Sequence, residues 1–252
     1  MATATEFMII IQSKRGNSNI IAIYGELGRY PLYIDTIISM IKYWVRLCKN
    51  THHDPFLAEA YDGNNEPCWL RCIHILLKHL NMDHMLTHPE NFKSRHIYSI
   101  KKKLQNNYET LWKINLNKCE KIRTYRKFKS IFGYETYISD IRNISHRNIL
   151  TRFRTSNHKL HIETGRYTRP ITPVENRICS NCNSKSVEDE LHFLMYCPRF
   201  ENHRRELFSN VLNYNAAILS AEDKFVWILS NEDPSCVREL AKFIHSCFQM
   251  AP

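Results

Sequence analysis

Cys179-Ser180-Asn181-Cys182, His192 and Cys197 fall within 19 residues at the spacing C-x2-C-x9-H-x4-C. A C-x2-C pair forms a tight knuckle in which two thiolates face one point. Zinc takes four soft or borderline ligands in a tetrahedron, and three sulfurs with one imidazole suit it. Thiolates favour Zn2+ over magnesium or calcium. Four protein ligands leave no open position, so this CCHC set predicts a structural metal site and not a catalytic one. The competing reading is a group of ordinary buried cysteines with a surface histidine. A second candidate, Cys68, Cys72 and His74, places two thiols one helical turn apart. Leu70, Ile73, Leu76 and Leu77 surround them, so the core reading is preferred there. Cys48, Cys119, Cys236 and Cys247 are scattered and read as packing residues.

No other chemistry has a motif. G-x-S-x-G, G-x-x-x-x-G-K-[ST] and G-x-G-x-x-G are absent, and no two aspartates are adjacent. The chain is therefore expected not to be an enzyme. Its charge is uneven. The net of +10 comes from 35 Lys+Arg and 25 Asp+Glu, and residues 91–170 hold 19 of the basic groups against 5 acidic ones. A block of this kind favours a polyanion, nucleic acid before an anionic membrane. Lys121, Arg123, Arg126, Lys127 and Lys129 interleave with Tyr125 and Phe128, and Arg152, Arg154, His158, Lys159, Arg166 and Arg169 follow. Lysine and arginine neutralise phosphates, and aromatic rings stack on unpaired bases. The competing reading is a solvated helix face. These eleven residues are the expected contacts to RNA or DNA.

The elements that must position these groups are mainly helical. At 252 residues, with 43% apolar and 24% charged residues, the chain is long enough for a sizeable core. Nine cysteines without a secretory leader point to a reducing, intracellular compartment, where clustered cysteines read as metal ligands. No run of 18 apolar residues occurs, so no membrane span is expected. Met1–Asn17 reads as a lead-in, Ile20–Tyr24 as a short strand and Gly25–Pro31 as a turn. Helices are expected over Leu32–Lys49, Phe56–Tyr61 and Cys68–Leu80, then from Pro89 through Trp112, over Lys118–Phe132 and over Ser139–Arg154. Thr155–Arg177 reads as loop. Ser186–Met195 reads as a short helix capped by Ser186, and Phe200–Leu212, Ala221–Leu229 and Pro234–Phe248 as closing helices. Three regions result: a helical connector over 1–90, a basic helical region over 91–170, and a knuckle with closing helices over 171–252.

Phe153-Arg154-Thr155-Ser156-Asn157-His158-Lys159-Leu160, followed by the Cys179, Cys182, His192, Cys197-Pro198 pattern, resembles the zinc-binding tail of LINE-type (non-LTR) retrotransposon reverse transcriptases. Such tails carry an L-R-T-G-H-like stretch and then a C-x2-C-x7–9-H-x4-C-P knuckle. Here Ser156-Asn157 stands in place of the glycine. Tyr24–Leu32 is similar to the stretch that follows the polymerase palm in some animal elements. The resemblance spans roughly Ile20–Leu212. It implies a thumb-like helical region with a zinc-binding tail that contacts RNA or DNA, with the polymerase portion of the parent element as a partner. The paired aspartates of that polymerase are missing, so a polymerase label would not carry the activity. Two other functions compete: a zinc-stapled helical module for a protein partner, and a transposon remnant without function.

Overall fold

The computed structural model describes residues 18–50, 68–212 and 214–250. The expected helix Phe56–Tyr61 and the lead-in Met1–Asn17 lie outside them. The fold is mainly α. Among the described residues the only β pairing is two isolated bridges, Leu27 with Tyr134 and Ile178 with Val187. Two compact units form, one from residues 30–112 and one from residues 18–29 with 113–250. No described helix is long and apolar enough to cross a membrane.

In the first unit, α2 (Leu32–Asn50) and α3 (Cys68–His79) pack together, followed by the single turn α4 (His84–Thr87) and most of α5 (Ser94–Lys118). The three- and four-residue spacing of Ile34, Ile37, Ile38, Ile41 and Trp44 puts one face of α2 into the core. Trp44 meets Phe92 edge to face, with ring centroids 5.9 Å apart. Lys103 Nζ donates to the carbonyl of Leu80, and Lys49 Nζ donates to that of Phe92 at 3.0 Å. Cys68, expected in the core, is exposed, and Cys72 is half-buried.

The second unit is built on α13 (Pro234–Met250), against which α8 (Ile144–Arg154), α10 (Glu201–Val211) and α12 (Ala221–Leu229) pack. Phe153, Phe193, Phe200, Phe225, Leu240 and Ile244 form the centre of its core. Residues 20–24 are not a strand: they lie in α1 (Ser18–Leu27). β-branched residues favour strands only weakly, and here burial of Ile21 and Ala22 decides. α1 ends at Gly28, whose φ is +56° and whose missing Cβ would collide with the backbone of Gly133 and Tyr134. That close approach lets Glu135 N–H donate to the Glu26 carbonyl at 2.9 Å.

Two expected helices are shorter than their apolar patterns. Lys118–Phe132 holds only α6 (Tyr125–Phe128), and Ser139–Arg154 splits into α7 (Tyr137–Asp140) and α8. The side chain of Asn143 caps α8, accepting from Ser145 N and His146 N at 2.9 and 3.1 Å. The expected loop after α8 includes α9 (His161–Thr164). Beyond the knuckle come α10, the single turn α11 (Tyr214–Ala217), α12 and α13.

His146 on α8 packs against His245 on α13, ring centroids 4.7 Å apart. Partial burial, then the charges of His245 and Lys242, lower the His146 pKa. The unfolded chain therefore binds this proton more readily, so stability falls as pH drops below about 6.5. Thermal midpoints at pH 7.5 and 5.5 should differ more in the wild type than in His146→Gln. An equal shift in both would mean that His146 does not titrate against the fold.

Candidate metal centre

The knuckle starts as a short hairpin. Cys179 N–H donates to the Ser186 carbonyl at 2.9 Å, and Glu188 N–H donates to that of Arg177 at 2.8 Å. Lys185 takes a left-handed φ of +54° at the return. This turn places Cys179 and Cys182 on one side. Ser186 belongs to the hairpin and does not cap a helix. Asp189 does so instead: its Oδ1 accepts from His192 N at 2.7 Å. His192–Tyr196 then form one wide turn in which Cys197 N–H donates to the His192 carbonyl, five residues back, at 2.7 Å. A wide turn of this kind often marks a functional position in a helix. Here it brings Cys197 beside His192, and Pro198 follows.

The four ligand atoms of Cys179, Cys182, His192 and Cys197 all lie within 4.8 Å of one another. Cys179 Sγ and Cys197 Sγ are 4.0 Å apart, and Cys182 Sγ is 3.4 Å from His192 Nε2. Around a tetrahedral zinc with Zn–S of about 2.3 Å and Zn–N of about 2.0 Å, sulfur pairs stand about 3.8 Å apart and sulfur–nitrogen pairs about 3.5 Å. The set is the right size for one ion. Cys179, His192 and Cys197 are buried and Cys182 is half-buried. Burial pushes the Cys179 and Cys197 thiols up and the His192 imidazole down. Burial also acts to raise Cys182, but hydrogen bonds from Ser184 and from the neighbouring thiols outweigh it, and its pKa is lowered. A cation at the centre reverses the thiol shifts by favouring thiolate.

Two buried carboxylates flank the cluster, and one of them, Glu188, meets Cys179. Glu188 Oε1 accepts from Asn181 Nδ2 at 2.7 Å and lies 3.5 Å from Cys179 Sγ, while Oε2 accepts from His161 N at 2.7 Å. Glu190, two residues before His192, has a side chain only 1% exposed. It accepts from Arg123 Nη2 (2.9 Å), Thr124 Oγ1 (3.0 Å) and Ser156 Oγ (3.1 Å), and His158 Nε2 is 3.0 Å away. Burial acts to raise this carboxyl, but His158 and Arg123 hold it at about 2. From α10, Arg204 donates to the carbonyls of Leu194 and Cys197, fixing the wide turn. The spacing of the cysteines gave no sign of these partners. The one available signal was the Glu188-Asp189-Glu190 run shortly before His192.

The basic residues separate into two groups. Lys129, Arg154 and His158, expected on phosphates, are buried and bonded inside the fold. Lys129 pairs with Glu135 and donates to the Gly133 carbonyl. Arg154 pairs with Glu26 and Glu135, and His158 with Glu190. Arg123 is partly buried between Glu163 and Glu190, and Arg166 pairs with Glu163 at 3.2 Å. A buried cation without a carboxylate is too costly to keep, and Lys129 and Arg154 each have one. Arg126, Lys127, Arg152, Lys159 and Arg169 are exposed, and Lys121 is half-exposed with its Nζ 3.5 Å from Tyr167 Oη. Arg126 also donates to the Asn117 carbonyl at 2.8 Å. No protein-family model, curated protein or solved structure matches this chain.

Proposed function

We propose that the chain is a zinc-stapled, nucleic-acid-binding accessory module of the kind that follows the polymerase in LINE-type reverse transcriptases, with no polymerase activity of its own. The observation that carries the reading is the cluster of Cys179, Cys182, His192 and Cys197 ligand atoms, all within 4.8 Å of one another. Three sulfurs and an imidazole select zinc over the oxygen-seeking cations. The set is closed, so the metal holds structure and meets no substrate. What it holds includes the segment that carries the L-R-T-G-H-like stretch, because Glu190 bonds to Ser156 and His158 from two residues before His192.

Partner recognition falls to the cations that the fold leaves outside. Arg126, Lys127, Arg152, Lys159 and Arg169 all belong to the second unit, the one that contains the ligand cluster. They favour a phosphate backbone, with RNA or DNA as the partner. Binding to an RNA hairpin or a duplex should weaken steeply between roughly 50 and 200 mM salt, with a log–log slope of about −0.9 per neutralised duplex phosphate. Charge-neutral substitution at Lys127 and Arg152 should flatten that slope by about two units. Fluorescence anisotropy across the salt series measures both. A flat response in the wild type would sink the reading.

A further inference from the structure

We infer that the loop between Gly165 and Ile178 is a platform for unpaired nucleotides, with Tyr167 as the ring on which a base stacks. The inference rests on the nucleic-acid reading above and adds to it a strand preference and a site. The loop backbone is tied by its own side chains: Thr168 Oγ1 accepts from Thr172 N at 2.9 Å and donates to the Gly165 carbonyl at 3.0 Å. Buried Arg177 donates to the carbonyls of Thr172 (2.9 Å) and Ile162 (2.8 Å). Thr172 N–H closes the turn on the Gly165 carbonyl at 3.1 Å. Gly165 has no alternative there, since a Cβ would come within 2.8 Å of the Arg177 side chain.

The apolar side chains of the same loop turn outward. Tyr167 is 72% exposed, Ile171 66% and Val174 52%. A backbone held by internal bonds that presents its aromatic and aliphatic groups to water is the pattern of a contact surface. Charge decides what it contacts. Lys121 Nζ stands 3.5 Å from Tyr167 Oη, Arg169 is exposed two residues further on, and Glu175 is the only acidic residue between 165 and 178. A ring flanked by cations suits a base with its phosphates, and such stacking accepts any base. A paired strand offers no free base face, so the surface favours single strands.

The test compares wild type, Tyr167→Ala, Tyr167→Phe and Arg169→Gln on an oligouridylate and on an RNA duplex, each of about 12 nucleotides per strand. The single strand should bind more tightly than the duplex. Tyr167→Ala should lose about 5- to 100-fold on the single strand, Tyr167→Phe should retain wild-type affinity, and the salt slope should be unchanged in both. Arg169→Gln should flatten the slope by about 0.7. Tyr167 is exposed, so thermal midpoints should not move. If Tyr167→Ala binds within twofold of wild type, or the duplex binds as well as the single strand, the platform is overturned. Should charge-neutral variants at Lys127 and Arg152 still weaken binding in that case, the broader nucleic-acid reading stands. Loss of all binding in the wild type removes both.

Discussion

Cys197→Ser is expected to abolish metal binding at the cluster and to open the hairpin between Arg177 and Glu188, while most of the helical signal persists. Cys197 is fully buried, and serine is close to it in size, so little of the effect is steric. What is lost is a thiolate. A structural zinc of this type contributes on the order of 10 kcal/mol of binding free energy, nearly all of it coupled to local folding. The two sides of the site will respond differently. The wide turn carrying His192 and Cys197 is anchored in the core by Phe193, whose ring lies 4.9 Å from Phe200 and 4.8 Å from Phe248. The hairpin is anchored only at its base, by buried Arg177, Cys179 and Glu188; towards its tip Ser184 and Lys185 are exposed and Cys182 is half-buried. Metal analysis should give one zinc per wild-type chain and close to none in Cys197→Ser. Trypsin should cut at Lys185 far faster in the variant or in chelator-treated protein. Metal uptake should release protons, because burial keeps the Cys179 and Cys197 thiols protonated before loading, so affinity falls as pH falls. A metal-free wild type that resists trypsin equally at Lys185 would mean that side-chain packing alone shapes the knuckle.

The Cys/His cluster was legible because its members are local: the C-x2-C pair, His192 and Cys197 all fall within 19 residues. The long amphipathic helices were legible for the same reason: Leu32–Asn50 and Pro234–Met250 each repeat apolar residues at the helical period. The errors arose where partners are distant. Ile20–Tyr24 has the residues of a strand, yet Tyr125 Oη donates to the Ala22 carbonyl from 103 positions away, and the segment packs as helix. Arg154 and His158 read as cations for phosphate because an arginine on a basic helix is usually solvated. Their carboxylates lie 128 and 32 positions away, and no spacing rule connects them. The Asn143 cap was a local signal, but the apolar pattern running across it extended the expected helix.

Arg154→Met should destabilise the second unit by about 3–5 kcal/mol, because it leaves the buried Glu26 carboxylate without its cation, whereas Glu135 keeps Lys129. Arg154 is 5% exposed. Its Nε and Nη2 each meet a Glu26 oxygen at 3.0 Å, Nη2 also reaches Glu135, and Nη1 donates to the Leu229 carbonyl at the end of α12. The guanidinium lies over the rings of Phe128 and Tyr137, 4.7 and 5.0 Å from their centroids. One side chain thus joins α1, α6, α7 and α12. Methionine fills a similar volume but cancels no charge, and Glu26, 2% exposed, has no water to turn to. The denaturation midpoint should drop accordingly, by roughly 10 °C for a unit of this size. Removing the stranded charge should recover much of the loss, so Glu26→Gln combined with Arg154→Met should be more stable than Arg154→Met alone. The pair of variants also separates two roles for this arginine. If it touched phosphate, the double variant would fold well and still bind nucleic acid weakly. As an internal tie, it should regain binding together with stability. A single variant within about 1 kcal/mol of wild type would mean that the carboxylates find other partners, and that burial of this cation is incidental to the fold.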